Sequence, residues 1–304
     1  MALLSRKTSW QAVLLRLSLK ISKIFRRDRE PEVATMRRRL RLIEAVVPHP
    51  PRGTETLTMS VDGIAAVHTK VRDARTDCYI LHFHGGGYAF GSAPLYRDFA
   101  WRISAATRAC VLYFDYRLAP EHPFPAAVED ASRAYRWLAD RIDPHRIAFL
   151  GDSAGGGLAF ATAYKLRDEG FSLPCAIVAL SPWTDLALTG ESLRSNAKAD
   201  PIMNVARLPS FANHYLGGAN PRHPYASPLY GDVEGLPPIL IQVGSDEILR
   251  DDSVRMATKL HDAGRDVEIE VWPRMPHAWQ LYARILPEGR RAIERVGEFL
   301  QDKL

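Results

Sequence analysis

A serine framed by glycines constrains this chain more than any other feature. In Arg146-Ile-Ala-Phe-Leu-Gly-Asp-Ser-Ala-Gly-Gly-Gly-Leu158, the run Ile147 to Leu150 reads as a short buried strand, and the chain from Leu158 onward reads as a helix. The glycines therefore sit where strand turns sharply into helix. Gly151-x-Ser153-x-Gly155 has the composition of a nucleophile elbow: a serine on a tight turn holds its Oγ above the sheet, and small neighbours let strand and helix approach. The amides at the start of the helix point at the place where negative charge would develop. A phosphate-cradling glycine loop is the rival reading, but no Gly-Lys-Ser/Thr follows and the spacing is not GxGxxG.

An elbow needs a sheet behind it, and the rest of the chain supplies the pattern of one. Thr54 to Val61 and Ile64 to Val71 bracket the turn Asp62-Gly63 and predict a hairpin. Six further strand candidates follow: Cys78 to Phe83, Ala109 to Phe114, Ile147 to Leu150, Ala176 to Leu180, Pro238 to Val243 and Val267 to Val271. Helical patterns over 95–107, 126–141, 157–168, 251–263 and 287–303 alternate with most of them. That rhythm predicts an α/β chain with an eight-stranded, mostly parallel, doubly wound sheet and its chemistry at the carboxyl ends of the strands. Between Pro182 and Pro237 the rhythm breaks for a stretch too long for an ordinary crossover. A single domain over 1–304 is expected, with a cap made of about 1–45 and an insertion at about 182–235.

Composition narrows the class. With 304 residues, 46% of them hydrophobic and 25% charged, the chain can bury a large core. No apolar run approaches the length of a membrane span, the first 30 residues lack a clean signal-peptide pattern, and a cytoplasmic location is expected. Cys78, Cys110 and Cys175 lie far apart in or beside strand-like runs and read as buried thiols. The net charge of +5 is unevenly placed, since residues 1–50 hold 12 Lys/Arg against 4 Asp/Glu and the remainder 28 against 31. In that basic segment Trp10, Val13, Leu14, Leu17, Ile21, Ile24 and Phe25 recur at helical spacing. The expectation is a helix whose apolar face covers the site; contact with an anionic membrane surface is the alternative. No binding fold supports a nucleic-acid arm.

Three more constellations fall at strand ends. His84-Gly85-Gly86-Gly87 follows the strand Cys78 to Phe83, and consecutive glycines let backbone amides turn toward a tetrahedral oxyanion. The amides of Gly86 and Gly87, with that of Ala154, are the candidate donors, and His84 is read as an anchor for the loop. After the strand Pro238 to Val243 comes Ser245-Asp246-Glu247, where a carboxylate could orient an imidazole. Asp246 is the candidate, Glu247 its nearest competitor, and Asp251 and Asp252 are better explained as acidic residues opening the next helix. After the last strand, Trp272-Pro-Arg-Met-Pro-His277-Ala-Trp279 places His277 to complete the chain order Ser, Asp, His. His82, His122 and His223 are read as structural, and no residues show metal-ligand spacing.

Taken together, these blocks resemble the hormone-sensitive-lipase family of α/β-hydrolase carboxylesterases from residue 78 to the end. The match rests on His84-Gly-Gly-Gly87, Asp115-Tyr-Arg-Leu-Ala-Pro-Glu-His-Pro-Phe-Pro125, Gly151-Asp-Ser-Ala-Gly-Gly156, Ser181-Pro-Trp-Thr-Asp185, Ser245-Asp-Glu247 and His277-Ala-Trp279, in the family's usual order. The resemblance implies an α/β-hydrolase fold, Ser153, Asp246 and His277 as catalytic triad, Gly86, Gly87 and Ala154 as oxyanion hole, and structural roles for Asp115 and Arg117. It implies an acyl-serine mechanism on short-to-medium acyl esters, with no metal or organic cofactor. Lactone opening, amide hydrolysis and deacetylation would use the same site. A non-catalytic ligand-binding receptor on this fold is the other class, and the presence of all three triad residue types argues against it. A small-molecule ester is the expected partner, nucleic acid is not expected, and a homodimer stays open.

Overall fold

The computed structural model describes residues 2–3, 8–25 and 33–304. Its strands are β1 (Ala2–Leu3), β2 (Glu55–Val61), β3 (Ile64–Lys70), β4 (Arg75–Phe83), β5 (Ala109–Phe114), β6 (Ile147–Asp152), β7 (Ala176–Leu180), β8 (Ile239–Gly244) and β9 (Val267–Trp272). They form one sheet in the order β1-β9-β8-β7-β6-β4-β5-β3-β2. The hairpin β2–β3 joins β5 antiparallel, and every other pairing is parallel. The eight expected strands are all present; the ninth is the two-residue β1, which pairs with the outer edge of β9.

Near-continuous apolar strands are what a sheet covered on both faces requires, and alternation along each strand assigns residues to the two sides. Leu81, Phe83, Ile147, Phe149, Ile177, Ala179, Ile239 and Ile241 join one core with helices α4 (Ala126–Ala139), α5 (Ala154–Asp168) and α8 (Arg250–Asp262). Their neighbours Ile80, Ala148, Leu150, Ala176, Val178 and Leu240 join the other with α3 (Ala93–Thr107) and α9 (Pro287–Leu300). The carboxyl ends of β4, β6, β8 and β9 therefore open on one rim.

The long interval after β7 carries the short helix α6 (Ser192–Ser195) and α7 (Leu208–Leu216). It is bound to the body through Asp252, whose Oδ2 accepts from the amides of Thr184 and Asp185, each at 2.8 Å. Burial, with the Asp185 carboxylate nearby, pushes Asp252 up to about 8.

At the N-terminus, α1 (Trp10–Phe25) precedes α2 (Val33–Glu44). The orientation of α1 differs from expectation. Its small and polar side faces the body: Ala12 is fully buried, Ser9 bonds Glu288 through both N and Oγ at 2.8 Å, and Lys23 Nζ donates to the carbonyls of Asp200 and Met203. Arg16, only 7% exposed, is held between Asp246 and the Arg274 carbonyl. Trp10, Val13, Leu14, Leu17 and Ile21 face outward, at 69, 48, 55, 55 and 46% exposure. A desolvated guanidinium and ammonium must meet acceptors, and those acceptors lie on the body, so the charged side decides how the helix docks. The side chains of Ile24 and Phe25 lie outside the described residues.

Candidate active site

Ser153 sits between β6 and α5 with φ 55° and ψ −122°, a conformation that L-residues avoid and that costs on the order of 1–3 kcal/mol. Glycines make it tolerable. A Cβ at Gly151 would run into the Gly155 carbonyl, and one at Gly155 into the carbonyl of Phe83 at the end of β4. The Ser153 amide donates to Leu180 O at 2.9 Å, and its carbonyl accepts from the amides of Gly156, Gly157 and Trp183. The serine is thus locked to β7 and to its own helix, with 8% of its surface left accessible.

Asp152, buried beside it, ties the elbow to the glycine loop: Oδ1 accepts from Gly85 N at 3.1 Å and Oδ2 from Tyr96 OH at 3.0 Å. His84 is fully buried and stacks on Tyr116 at 4.0 Å, while its Nδ1 lies 2.7 Å from Gly85 O, which makes Nδ1 the protonated nitrogen. Burial pushes His84 down to about 4, so the ring stays neutral and serves the loop. Beyond it, Gly86 and Gly87 take φ of 115° and 60°, and a Cβ on Gly86 would collide with the Phe90 carbonyl. Among the described residues, no protein acceptor takes the amide protons of Gly86, Gly87 or Ala154. Phe211 of α7 lies against Gly87 and meets Phe90 edge-on at 5.9 Å, which narrows the space beside these amides.

The acid loop departs from the expectation. His277 Nδ1 donates to Glu247 Oε2 at 2.7 Å, and Asp246 takes no part in that contact. Glu247 is fully buried; its Oε1 accepts from Gly244 N at 2.6 Å and from Ser181 Oγ at 2.7 Å. Asp246 faces the other way, accepting from Ser245 Oγ at 2.8 Å and from Arg16 Nη2 at 2.6 Å. The reason is the tight turn Gly244 to Glu247, in which Glu247 N bonds Gly244 O at 3.3 Å, returning the glutamate side chain beneath the end of β8. Asp251 bonds Ser192 N, and Asp252 holds the loop after β7, so neither reaches His277.

Ser181, which the sequence pattern gave no role, lies against the Glu247–His277 pair. Its Oγ donates to Glu247 and accepts from Ala278 N at 3.2 Å, joining the acid to the residue after His277. The only sequence signal was its place in the Ser181-Pro-Trp-Thr-Asp185 block. His277 itself is 8% exposed. Burial, the largest influence, favours its neutral form, but the hydrogen bond and charge of Glu247, helped by Asp200 and Asp152, outweigh it and raise His277 above its usual range. With Nδ1 donating to a carboxylate, Nε2 of the neutral ring is the basic nitrogen.

Comparison with known proteins gives a consistent result. A family model described as an alpha/beta hydrolase fold matches residues 80–281. An acetyl-hydrolase of Streptomyces hygroscopicus is 48% identical over 233 residues, 76% of this chain and 78% of that protein. An esterase of Acinetobacter venetianus is 36% identical over 239 residues, 78% of each. Among solved structures, an esterase from the bacterial hormone-sensitive lipase family superimposes with a TM-score of 0.92 at 44% identity, covering 98% of this chain and 99% of its own.

Proposed function

This chain is a member of the hormone-sensitive-lipase family of α/β-hydrolase carboxylesterases, and from that membership we propose that it hydrolyses short-to-medium acyl esters with Ser153, His277 and Glu247 as its triad. The observation that carries this reading is the buried Glu247–His277 hydrogen bond at 2.7 Å at the rim where Ser153 is held in its strained turn. Ser153 Oγ attacks the ester carbonyl and passes its proton to His277 Nε2; Glu247 orients the ring and stabilises the imidazolium. The oxyanion is received by the uncommitted amides of Gly86, Gly87 and Ala154. His277 then protonates the leaving alcohol, and water activated by the same ring releases the acid and regenerates Ser153.

The acyl range is supported by Phe90 and Phe211, whose edge-on rings bound the space next to the oxyanion amides. The cap, about 1–45 and 182–235, belongs to the same proposal, since α1 docks on the acid and histidine loops and Phe211 comes from the later piece. Treating the protein with an organophosphonate and locating the adduct by mass spectrometry tests the enzyme reading. Labelling at Ser153 is expected, together with cleavage of p-nitrophenyl esters that is fastest at about four to eight carbons, the bounded pocket limiting longer chains. An adduct elsewhere, or none, defeats it.

A cytoplasmic setting is supported by free cysteines, with Cys78 and Cys110 buried, and no helix among the described residues is long and apolar enough to cross a membrane. We further propose that the outward apolar stripe of α1 rests on an anionic membrane surface, which suits the excess of cations in residues 1–50. Co-sedimentation with phosphatidylglycerol vesicles that weakens with salt is the expected result. A concentration-dependent dimer without vesicle binding would assign the stripe to a second copy instead.

A further inference from the structure

Asp246 is turned away from His277, yet it is not idle. Its Oδ1 accepts from Ser245 Oγ, and that hydroxyl in turn accepts from Arg274 N at 2.9 Å. Its Oδ2 accepts from Arg16 Nη2 at 2.6 Å, and the other arm of the same guanidinium, Nη1, donates to Arg274 O at 2.7 Å. The four residues close a ring: Arg274 gives its amide to Ser245, Ser245 bonds Asp246, Asp246 takes Arg16, and Arg16 returns to the Arg274 carbonyl. Two members lie on the loop that carries Glu247 and one lies three residues before His277. Only Arg16 comes from elsewhere, from α1, and it is 7% exposed.

Arg274 has φ 57°, a left-handed conformation that a non-glycine residue keeps only when its surroundings hold it. The ring grips both its amide and its carbonyl. Asp246 is the covalent neighbour of Glu247, so anchoring its carboxylate restrains the backbone from which Glu247 reaches His277. A planar guanidinium can serve two acceptors in fixed directions, which an ammonium cannot. Resting on the Ser153–His277–Glu247 reading, we infer that Arg16 is a positioning residue: α1 reaches in to fasten the acid loop to the histidine loop, and the acid–base geometry is complete only with that helix docked.

The rival account is that Arg16 merely tethers α1, as Ser9 and Lys23 do from either side. Kinetics of the full-length protein on p-nitrophenyl butyrate separate the two. Arg16→Met should lower kcat about a hundredfold, the scale of a misplacement near 1 Å, with little change in KM. It should also move the acid limb of kcat/KM to lower pH, because a slackened Glu247 contact no longer raises His277. Arg16→Lys should recover part of the loss. Asp246→Asn, which opens the ring from the acid loop and leaves the Ser9 and Lys23 contacts of α1 in place, should shift the limb the same way, and combining it with Arg16→Met should add little. It also carries the test if Arg16→Met fails to fold. Ser9→Ala and Lys23→Met should lower thermal stability while keeping kcat and the acid limb. Wild-type kcat and pH profile in Arg16→Met, or equal losses in Ser9→Ala and Lys23→Met, would overturn the proposal while leaving a phosphonate adduct at Ser153 intact. Absence of that adduct in the wild type would instead remove the triad reading on which the inference rests.

Discussion

The elbow at Ser153 and the paired loops after β8 and β9 stand at the same rim but are built in opposite ways. The elbow is local. Its backbone is forced by Gly151 and Gly155, which have no room for a Cβ, and its hydrogen bonds run to adjacent strands and its own helix. The acid and histidine loops depend on more than their own turn: beyond the Gly244–Glu247 bond they are joined to each other through Ser245, and to distant segments through Ser181 at the end of β7 and Arg16 of α1, the latter more than two hundred residues away in sequence. The proposed nucleophile can therefore be read from five consecutive residues, whereas the proposed base and acid are brought together by contacts between remote segments.

The largest test of this contrast removes the chemistry on each side. Ser153→Ala and His277→Ala should each lower kcat by on the order of 10⁶, as members of one unit, measured against the background hydrolysis of a p-nitrophenyl ester. A much smaller loss for either would separate that residue from the unit. Next in size is the choice between the two carboxylates: Glu247→Gln should cost about 10⁴ in kcat, the scale of a tautomer error in a serine protease, and Asp246→Asn far less. The reverse ranking would return the acid to Asp246.

A subtler measurement sharpens the comparison through pH. In the proposed triad His277 has to be neutral to accept the serine proton, and its folded value lies above the usual one because Glu247 outweighs the cost of burial. Activity should accordingly fall as pH drops through that raised value, and in the residual activity of Glu247→Gln the limb should move to lower pH. An unmoved limb would show that Glu247 does not set the ring's charge. The elbow, by contrast, should respond through stability. Gly155→Ala forces a methyl group into the Phe83 carbonyl and should lower unfolding free energy by about 1–3 kcal/mol or more, read by denaturant titration. A neutral substitution would mean that strand and helix can part there without cost.

The smallest effect on catalysis is expected at α1's outer stripe. Leu14→Ser and Leu17→Ser touch no residue of the site, so kinetics on a soluble ester should be unchanged while vesicle binding weakens. Lost activity on the soluble ester would show that the stripe closes over the pocket.

By itself the amino-acid sequence determined the strands, their mostly parallel arrangement and the tight strand-to-helix turn at Ser153, because each follows from short-range facts: apolar runs of strand length alternating with helical periodicity, and glycines where no side chain fits. The glycine loop was legible for the same reason. Which of two adjacent carboxylates turns toward the histidine was not, since neighbouring residues in a turn point to different sides and the turn's geometry is closed by distant partners. The same holds for α1. Its periodicity gave a helix with an apolar stripe, but the docked side was decided by Arg16 and Lys23 finding acceptors on Asp246, Arg274, Asp200 and Met203. Buried charge must be paired where partners exist, and where they exist is a property of the assembled chain.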